Sequence, residues 1–558
     1  MNHSFPNMRL YKSTLAATVF IFATSFAQAA TITVNNDFDG TDQGIGICTL
    51  RDAVAAINAG SDPDPSLNGC TNGDPSEGYG TNDTIQFDST VFNASATIEV
   101  VNGGEIEIEK DLIITGPIDP VTDAPLITLD AGPGGTANNR IFDTYPSDTF
   151  TVENLIFKNG NDTGSQGGGA IRGPSTLLTV HNCVFEDNQA AEQGGAIYVR
   201  LNAVVSKSTF SGNMADFGGA IMGAFSSNVV AVIAVSDSTF SNNTADYGGA
   251  IDGDKIVVSA STFFNNTGTT DGGAINAYGA AVVSASTFLN NSATDHGGAI
   301  RAAKSLDARH LTMLNNMANE GASVYVDGYE GSKTMEIHNS IIIGENLGNA
   351  SAHCEMDTTN SPSNIGSYNL EWTVGDTALV ASCGTAAPGI TTMPASLADI
   401  IATTLADNGG LTQTLALPGN SPAYAQADQT GTSQMWDFAA NAGAGDWVDA
   451  TEDQRAFARK ILGMRDLGAY EANATAGMVF TPAALSGIEG ESFSSSIGSV
   501  TGCQGSCTFV SNNPPAGMTL NGNGNLSGTL PDTGIVTFDV TITDSGTNQL
   551  EFNHEVQF

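Results

Sequence analysis

The chain has 558 residues, with 59 acidic and 18 basic side chains and a formal net charge of −41. Such a charge repels nucleic acids and anionic membranes and argues against both as partners. The negative charge favours binding of divalent cations or basic partners. The alternative is that it serves only solubility in a salty medium. Hydrophobic residues make up 41% of the sequence, which is enough for a buried core, so the charge does not predict global disorder.

The N-terminus has the pattern of a secretory signal peptide. Arg9 and Lys12 form a basic segment, residues 15–26 are apolar, and Ala27-Gln28-Ala29 is a small-x-small cleavage site. The apolar segment is short for a retained membrane anchor. We therefore predict cleavage after Ala29, which removes two basic and no acidic residues and changes the formal charge to −43. The mature chain is predicted to have no transmembrane span.

Residues 49–59 are predicted to form an amphipathic helix. Leu50, Ala53, Val54 and Ile57 have the spacing of one helical face. Thr49 and Asp52 have the spacing of a capping box at the start of the helix.

An internal repeat of about 25 residues occupies the middle of the chain. The repeat contains two motifs. The first is Gly-Gly-Ala-Ile, and the second is Ser-Thr-Phe followed by an Asn three residues after the Phe. Gly-Gly-Ala-Ile begins at Gly168, Gly194, Gly218, Gly248, Gly272 and Gly297. The repeated Asn residues are Asn213, Asn243, Asn266, Asn291 and Asn316. A longer interval at residues 224–232 is predicted to be one loop insertion.

This repeat predicts a parallel β-helix. A leucine-rich repeat has a similar period but needs a leucine ladder, which is missing here. Each unit instead contains short β runs between Gly or Asn turns. With one unit per coil, identical side chains stack at about 4.8 Å. The Phe residues then form an internal aromatic stack, and the Ala-Ile pairs form a second apolar column.

The Asn column predicts a ladder of side-chain amides that bond the backbone of neighbouring coils. The Gly pairs permit positive φ at the opposite corner. Cys183 stands where other units have Ser208, Ser238 and Ser261. It is therefore predicted to be a buried free thiol and not a nucleophile.

The other six cysteines form three local pairs, which suits an oxidising compartment. No spacing resembles a zinc site. The predicted disulfides are Cys48–Cys70, Cys354–Cys383 and Cys503–Cys507. The first of these would fix the 49–59 helix across the first coil as a cap, since an open end presents unpaired strands.

An acidic residue precedes the Gly pair in nearly every unit. If these residues stack, carboxylates recur about every 5 Å, and the oxygen ligands would suit Ca²⁺. The alternative is a solvated edge that deters association between strands. The candidate calcium ligands are Glu192, Asp216, Asp246, Asp271, Asp295 and Glu320.

The tail after residue 477 loses the repeat and alternates with a period of two. Residues 536–543 and 550–558 are predicted strands of a small β-sandwich.

Several segments resemble known families. Residues 48–58, CTLRDAVAAIN, resemble the CSLREA motif of secreted bacterial β-helix proteins, with Asp52 in place of Glu. The GGAI and F-x-x-N words are similar to repeats of chlamydial polymorphic outer-membrane proteins. Residues 514–520 with Gly528-Thr529 are similar to immunoglobulin-like domains of bacterial surface proteins. The resemblance implies a right-handed, pectate-lyase-like β-helix with an N-terminal helical cap, and no enzymatic activity.

An enzyme is the alternative, because parallel β-helices also occur as polysaccharide lyases and hydrolases. Arg172 and Arg301 both follow GGAI but are five coils apart, roughly 24 Å, too far to act together. Lys207 and Lys255 have no repeated acidic partner, and His296 is interpreted as an exposed loop residue. Fold analogy alone supports an enzyme acting on acidic glycans.

The sequence therefore predicts a secreted or surface-exposed, non-enzymatic protein of a Gram-negative-type envelope. Adhesion to glycans or proteins of cells or matrix, or a structural surface role, is the predicted function. The predicted segments are a signal peptide (1–29), an N-terminal cap with the first coils (30–150), the repeat core (151–345), closing coils (346–471), a linker (472–476) and an immunoglobulin-like sandwich (477–558).

Overall fold

The computed structural model describes residues 29–374 with short gaps, and shorter stretches between 382 and 557. The gaps are at 42–43, 63–68, 74–77, 81–82, 102–103, 133–138, 227–228, 328–333, 345–351, 358–362 and 365. The later stretches are 382–387, 390, 396–408, 411–418, 421–423, 434–437, 446–449, 454, 469, 479–482, 492–501, 507–511, 518–529, 535–543 and 549–557. The basic and apolar parts of the predicted signal peptide lie outside the described residues.

The described repeat region is a solenoid of parallel strands, as the repeat predicts. Successive coils contribute strands to the same stacks, and two of the stacks join into one 20-stranded sheet through the long strands Ile251–Ser259 and Ile275–Ser284. Equivalent residues of successive units are in register, for example Phe240 with Phe263.

The first stack carries apolar residues that alternate along most of its strands and are buried in the core. Together with parts of the two long strands it comprises Thr31–Val34, Asp83–Phe87, Leu112–Thr115, Thr149–Glu153, Leu177–His181, Ala203–Ser206, Val232–Ser236, Ser305–Arg309, Thr334–His338 and Ser363–Asn364.

The second stack contains the Ile of GGAI and the residues that follow it. With the starts of the two long strands it comprises Ile106–Glu107, Phe142–Asp143, Ile171–Gly173, Ile197–Val199, Ile221–Gly223, Ile300–Ala302, Val324–Val326 and Cys354–Met356.

The third stack is an 11-stranded sheet that contains the Phe of each unit. It comprises Ala96–Glu99, Ile127–Asp130, Leu155–Lys158, Val184–Glu186, Thr209–Ser211, Thr239–Ser241, Thr262–Phe264, Thr287–Leu289, Thr312–Leu314, Ile341–Gly344 and Leu370–Thr373. Short corner strands lie between the third and second stacks, at Asn161–Asp162, Gln189–Ala190, Thr244–Tyr247, Thr267–Asp271 and Ser292–Ala293.

The aromatic stack and the amide ladder are confirmed. The rings of Phe185, Phe210, Phe240, Phe263 and Phe288 are fully buried, and neighbouring rings are nearly parallel, with centroids 4.7–4.9 Å apart. The Ala and Ile of each GGAI are fully buried as well. These columns form one continuous core through the solenoid.

Each ladder amide joins three coils. Asn243 Nδ2 donates to Phe210 O of the preceding coil at 3.0 Å and to Asn266 Oδ1 of the following coil at 2.9 Å. The backbone N–H of Asn243 also donates to Asn266 Oδ1, at 3.1 Å. All these groups are buried, and the ladder gives them hydrogen-bond partners.

A second ladder of hydroxyls runs beside the first stack, and the sequence did not predict it. The backbone N–H of Ser208 donates to Ser238 Oγ, and that of Ser238 donates to Ser261 Oγ, at 3.1 and 3.2 Å. Cys183 occupies the same column as a buried free thiol, as predicted. Burial raises its thiol pKa to about 12, so it stays protonated at neutral pH.

The predicted N-terminal helix is present at Leu50–Ala59, and Gly60 ends it in the left-handed conformation. Thr49 accepts the Asp52 N–H, as its position at the start of the helix requires. The helix contacts strands 31–34, 83–87 and 106–107. Arg51 pairs with Asp39 at 2.8 Å.

Two of the three predicted disulfides lie among the described residues. Cys48 is bonded to Cys70, and Cys354 to Cys383. Cys507 is disulfide-bonded, but Cys503 lies outside the described residues, so their pairing stays a prediction.

Later segments cover part of the outer face of the third stack. Leu397, Ile400 and Leu415 are in one apolar cluster with Leu314 and Trp372 of that stack. A 3₁₀ helix spans Leu397–Asp399, and an antiparallel pair is formed by Gln434–Asp437 and Asp446–Asp449.

The loop insertion predicted at residues 224–232 contains an antiparallel hairpin, Phe225–Ser226 with Val229–Val230.

The tail consists of antiparallel strands, and the two strands predicted near its end pair with each other. Its described strands are Val479–Pro482, Ser492–Ser496, Gly498–Thr501, Thr508–Val510, Met518–Leu520, Asn525–Thr529, Ile535–Thr543 and Gln549–Gln557. Among the residues that the structure describes, no helix is long and apolar enough to cross a membrane.

Candidate functional site

Two neighbouring columns of side chains lie at the GGAI corner, and their residue types differ from coil to coil. We define the corner column as the residues directly before each Gly pair: Gln193, Phe217, Tyr247, Asp271, His296 and Glu320. We define the flanking column as the residues directly after each GGAI or its equivalent: Arg172, Tyr198, Met222, Asp252, Asn276, Arg301 and Tyr325.

Glycine allows the corner to bring these columns together. The first Gly of each pair has a φ between +61° and +73°, for example +63° at Gly248 and +62° at Gly272. The second Gly has ordinary φ but no space for a side chain, because a Cβ at Gly249 would lie 2.2 Å from Gly273 O. The Gly pair is therefore required by backbone conformation at one position and by close coil stacking at the other.

The six predicted calcium ligands do not form one column, and this corrects the expected stacking. Asp271 and Glu320 lie in the corner column, whereas Glu192, Asp216, Asp246 and Asp295 lie one residue earlier. Adjacent positions of an extended segment point to opposite sides, which separates the two sets. Asp216 and Asp246 are exposed and Asp271 is buried, whereas Glu320 of the corner column is exposed.

Within the described parts of the chain, no group of three or more His, Cys, Asp or Glu side chains could hold a metal ion. Calcium stabilisation stays a prediction, which calorimetric scans with Ca²⁺ and with a chelator would test; an unchanged melting temperature would contradict it.

A chain of polar contacts crosses the C-terminal half of the two columns. Asn276 Nδ2 donates to Asp252 Oδ1 at 2.6 Å, and Arg301 Nη1 donates to Asn276 Oδ1 at 3.1 Å. Arg301 also pairs with Asp327, and its Nε lies 4.0 Å from Asp271 Oδ2. The cluster is largely buried, so its charges interact strongly.

His296 is part of this cluster and is not the exposed loop residue that the sequence suggested. Its Nδ1 lies 2.7 Å from Asp271 Oδ1, and its Nε2 lies 3.6 Å from Glu320 Oε2. The hydrogen bond to Asp271 raises the pKa of the imidazole, and partial burial opposes that shift. Asp271 therefore favours the imidazolium form.

Asp252 is the most perturbed carboxyl group of the cluster. It is fully buried, and this burial raises its pKa to about 8, against the effects of Asn276 and Arg301. The carboxyl group is therefore mostly neutral at pH 7. Sequence reasoning missed it, since Asp252 and Asn276 are outside the repeated words.

We expect Asp252→Asn to stabilise the protein above pH 5. Between pH 4 and 8 the folded state holds a proton that the unfolded state releases, so the free energy of unfolding falls as pH rises. Asparagine stays neutral and removes this fall. At pH 7 the melting temperature should rise by about 2 °C or more. Melting curves across this pH range measure it, with the exposed Asp216→Asn as the control. Equal pH dependence of the melting temperatures of wild type and D252N would contradict the raised pKa of Asp252.

The N-terminal half of the two columns contains three aromatic residues, Tyr198, Phe217 and Tyr247. A cavity of about 380 Å³ is lined by Gln193, Tyr198, Arg200, Phe217, Met222, Ala224 and Tyr278. Phe217 stacks on Tyr247 with centroids 5.4 Å apart. Tyr278 extends from the long strand 275–284 and hydrogen-bonds the buried Asp252, so the aromatic and polar halves meet at its side chain.

The two arginines of the flanking column belong to separate ion pairs. Arg172 pairs with Asp143 at 2.7 Å and Arg301 with Asp327, five positions apart along the flanking column. They do not act on a common site. Aromatic faces, amides and guanidinium groups on one rigid surface are instead typical of ligand recognition.

Comparison with known proteins gives two matches. Residues 182–200, 237–254, 260–278 and 285–303 match the family described as Chlamydia polymorphic membrane protein repeat. Residues 476–557 match the family described as Putative Ig domain. Each matched repeat segment contains a Phe of the aromatic stack, an Asn of the ladder and a GGAI corner. No curated protein and no solved structure matches the chain.

Proposed function

We propose that this protein is a secreted, surface-exposed and non-enzymatic β-helix protein that binds glycans or proteins of cells or matrix. The observation that carries the proposal is the similarity of its repeats to Chlamydia polymorphic membrane protein repeats. In this proposal the chain is exported with cleavage after Ala29 and stays outside the cell or at the surface of a Gram-negative-type envelope.

The C-terminal segment supports a surface role. It is similar to the Putative Ig domain family, and its described strands are antiparallel. In the proposed arrangement this domain follows the linker at 472–476, and the solenoid presents the partly exposed residues of the corner column along one edge.

We further propose a right-handed solenoid with the helix Leu50–Ala59 as its N-terminal cap. Contacts between the CSLREA-like segment and the first coils support the cap. Arg51 donates to Gly104 O at 2.9 Å, and Asn58 Nδ2 donates to Glu107 O at 2.8 Å. These bonds satisfy backbone groups at the start of the second stack, where an uncovered strand edge would otherwise invite association.

The test is binding of the purified protein to cells and to panels of matrix proteins and glycans, with Ca²⁺ and with a chelator. We expect saturable binding, and comparison of the two conditions shows whether that binding needs a divalent cation. No binding across the panel would contradict the adhesive role. Release of products from acidic polysaccharides would contradict the non-enzymatic proposal.

A further inference from the structure

The cavity between the N-terminal halves of the corner and flanking columns has the volume of a small-ligand site. Its volume of about 380 Å³ lies within the roughly 300–1,000 Å³ of such pockets. Tyr198 and Met222 are 9% and 6% exposed and lie on the flanking column. Phe217 and Gln193 lie on the corner column, in register with each other.

The aromatic walls suit a ring that has both C–H faces and polar edges. The π face of an aromatic ring is negative, so the weakly positive C–H bonds of a sugar ring pack on it. Phe217 is held by its stacking on Tyr247, so its position does not depend on a ligand. Gln193 also lines the cavity, and its side-chain amide is a hydrogen-bonding group.

One residue that lines this cavity, Arg200, carries a charge opposite to that of the whole chain. The protein has only 18 basic side chains and a net charge of −41. Arg200 lines the cavity and is exposed, and within the described residues it makes no ion pair with a carboxylate. Burial raises the pKa of the Tyr198 hydroxyl, and the charges of Arg200 and Arg172 oppose that shift.

We propose that this cavity binds one carboxylated sugar unit of an acidic glycan. The sugar ring packs on Phe217 and Tyr198, and its carboxylate pairs with Arg200. A planar guanidinium group binds a carboxylate through two parallel hydrogen bonds, which an uncharged sugar cannot form. This inference rests on the proposed surface role, because it names the ligand class that such a protein would contact.

The experiment is a ligand-observed NMR titration of the full protein with two matched probes. Methyl glucuronide carries the carboxylate, and methyl glucoside has a hydroxymethyl group in its place. We expect methyl glucuronide to bind at least about tenfold more tightly, since a charged hydrogen bond contributes that much. Equal binding of the two probes, or no binding of the glucuronide, overturns the proposal.

Variants locate the interaction. Arg200→Gln should weaken glucuronide binding by about tenfold or more without changing glucoside binding. Lys207→Gln removes the same charge from an exposed turn outside the cavity and should change neither. Equal losses in both variants would mean a general charge effect and overturn the proposal. Phe217→Ala should weaken the binding of both probes, and unchanged binding would overturn the stacking of the sugar ring on Phe217.

The two proposals fail in different ways. If the wild-type protein binds cells or matrix and R200Q binds them equally well, the surface role holds and the cavity is not its glycan site. If methyl glucuronide is displaced by an acidic peptide but not by an acidic oligosaccharide, the cavity recognises a peptide carboxylate and the glycan assignment is wrong.

Discussion

Gly249→Ala is expected to prevent the middle coils from stacking. A Cβ at this position would lie 2.2 Å from Gly273 O and within 2.7 Å of backbone atoms of Thr267. The obstacle is backbone on the next coil, so no side chain can move aside. Relief requires separating the coils and breaking bonds such as Gly249 N to Gly272 O, now 3.0 Å. We expect a loss of more than about 4 kcal/mol, seen in denaturant unfolding or as insoluble expression.

Gly173→Ala is the matched control for this prediction. Gly173 also follows the GGAI corner, but its nearest neighbour for a new Cβ is Val199 Cγ1 at 3.4 Å. This is an ordinary packing distance, so a change within about 1 kcal/mol is expected. If the two variants lost equal stability, close coil stacking would not be the reason for the second Gly of the pair.

Asn266→Ala is expected to cost about 3–5 kcal/mol. The substitution removes the donor to Phe240 O and the acceptor of the Asn243 N–H, at 3.0 and 3.1 Å. It also removes the side-chain bonds to Asn243 and Asn291. All these groups are buried, and each buried group left without a partner costs about 1–3 kcal/mol. Denaturant unfolding of the purified variant measures the loss.

Asn265→Gly is the control, because the two asparagines are adjacent but differ in burial. Asn265 is exposed and has φ of +56°, a conformation that glycine adopts freely. Its replacement should change stability by less than about 0.5 kcal/mol. A larger effect at Asn265 than at Asn266 would show that turn conformation, not the amide ladder, maintains the stack.

The repeated residues could be predicted because each occurs at the same place in every coil. The Phe stack, the Asn ladder and the buried Ala-Ile pairs follow directly from stacking one unit on the next. The helix at Leu50–Ala59 was also predictable, since its apolar spacing and its Thr49 start are local signals.

The candidate site was not predictable in the same way, because its residues do not repeat. Asp252, Asn276 and Arg301 occupy equivalent positions with different chemistry. The acidic residues misled the sequence interpretation because a shift of one residue, from Asp246 to Asp271, places the side chain on the other face. The offset itself is visible in the sequence, because Asp271 directly precedes its Gly pair and Asp246 stands one residue earlier. Its consequence for the direction of the side chain follows only once the strand register is known.

The amide ladder has a direction, and that direction matters for a chain that is delivered from its N-terminus. Asn243 donates to the amide oxygen of the following coil and to a carbonyl of the preceding one. A coil that has just emerged therefore keeps unsatisfied donors until its successor docks. We expect the last coil of the growing end to be loosely held until the next coil docks on it. Loss of one amide of the ladder should weaken the contacts among three coils at once. In this solenoid the cooperative unit is larger than the repeat.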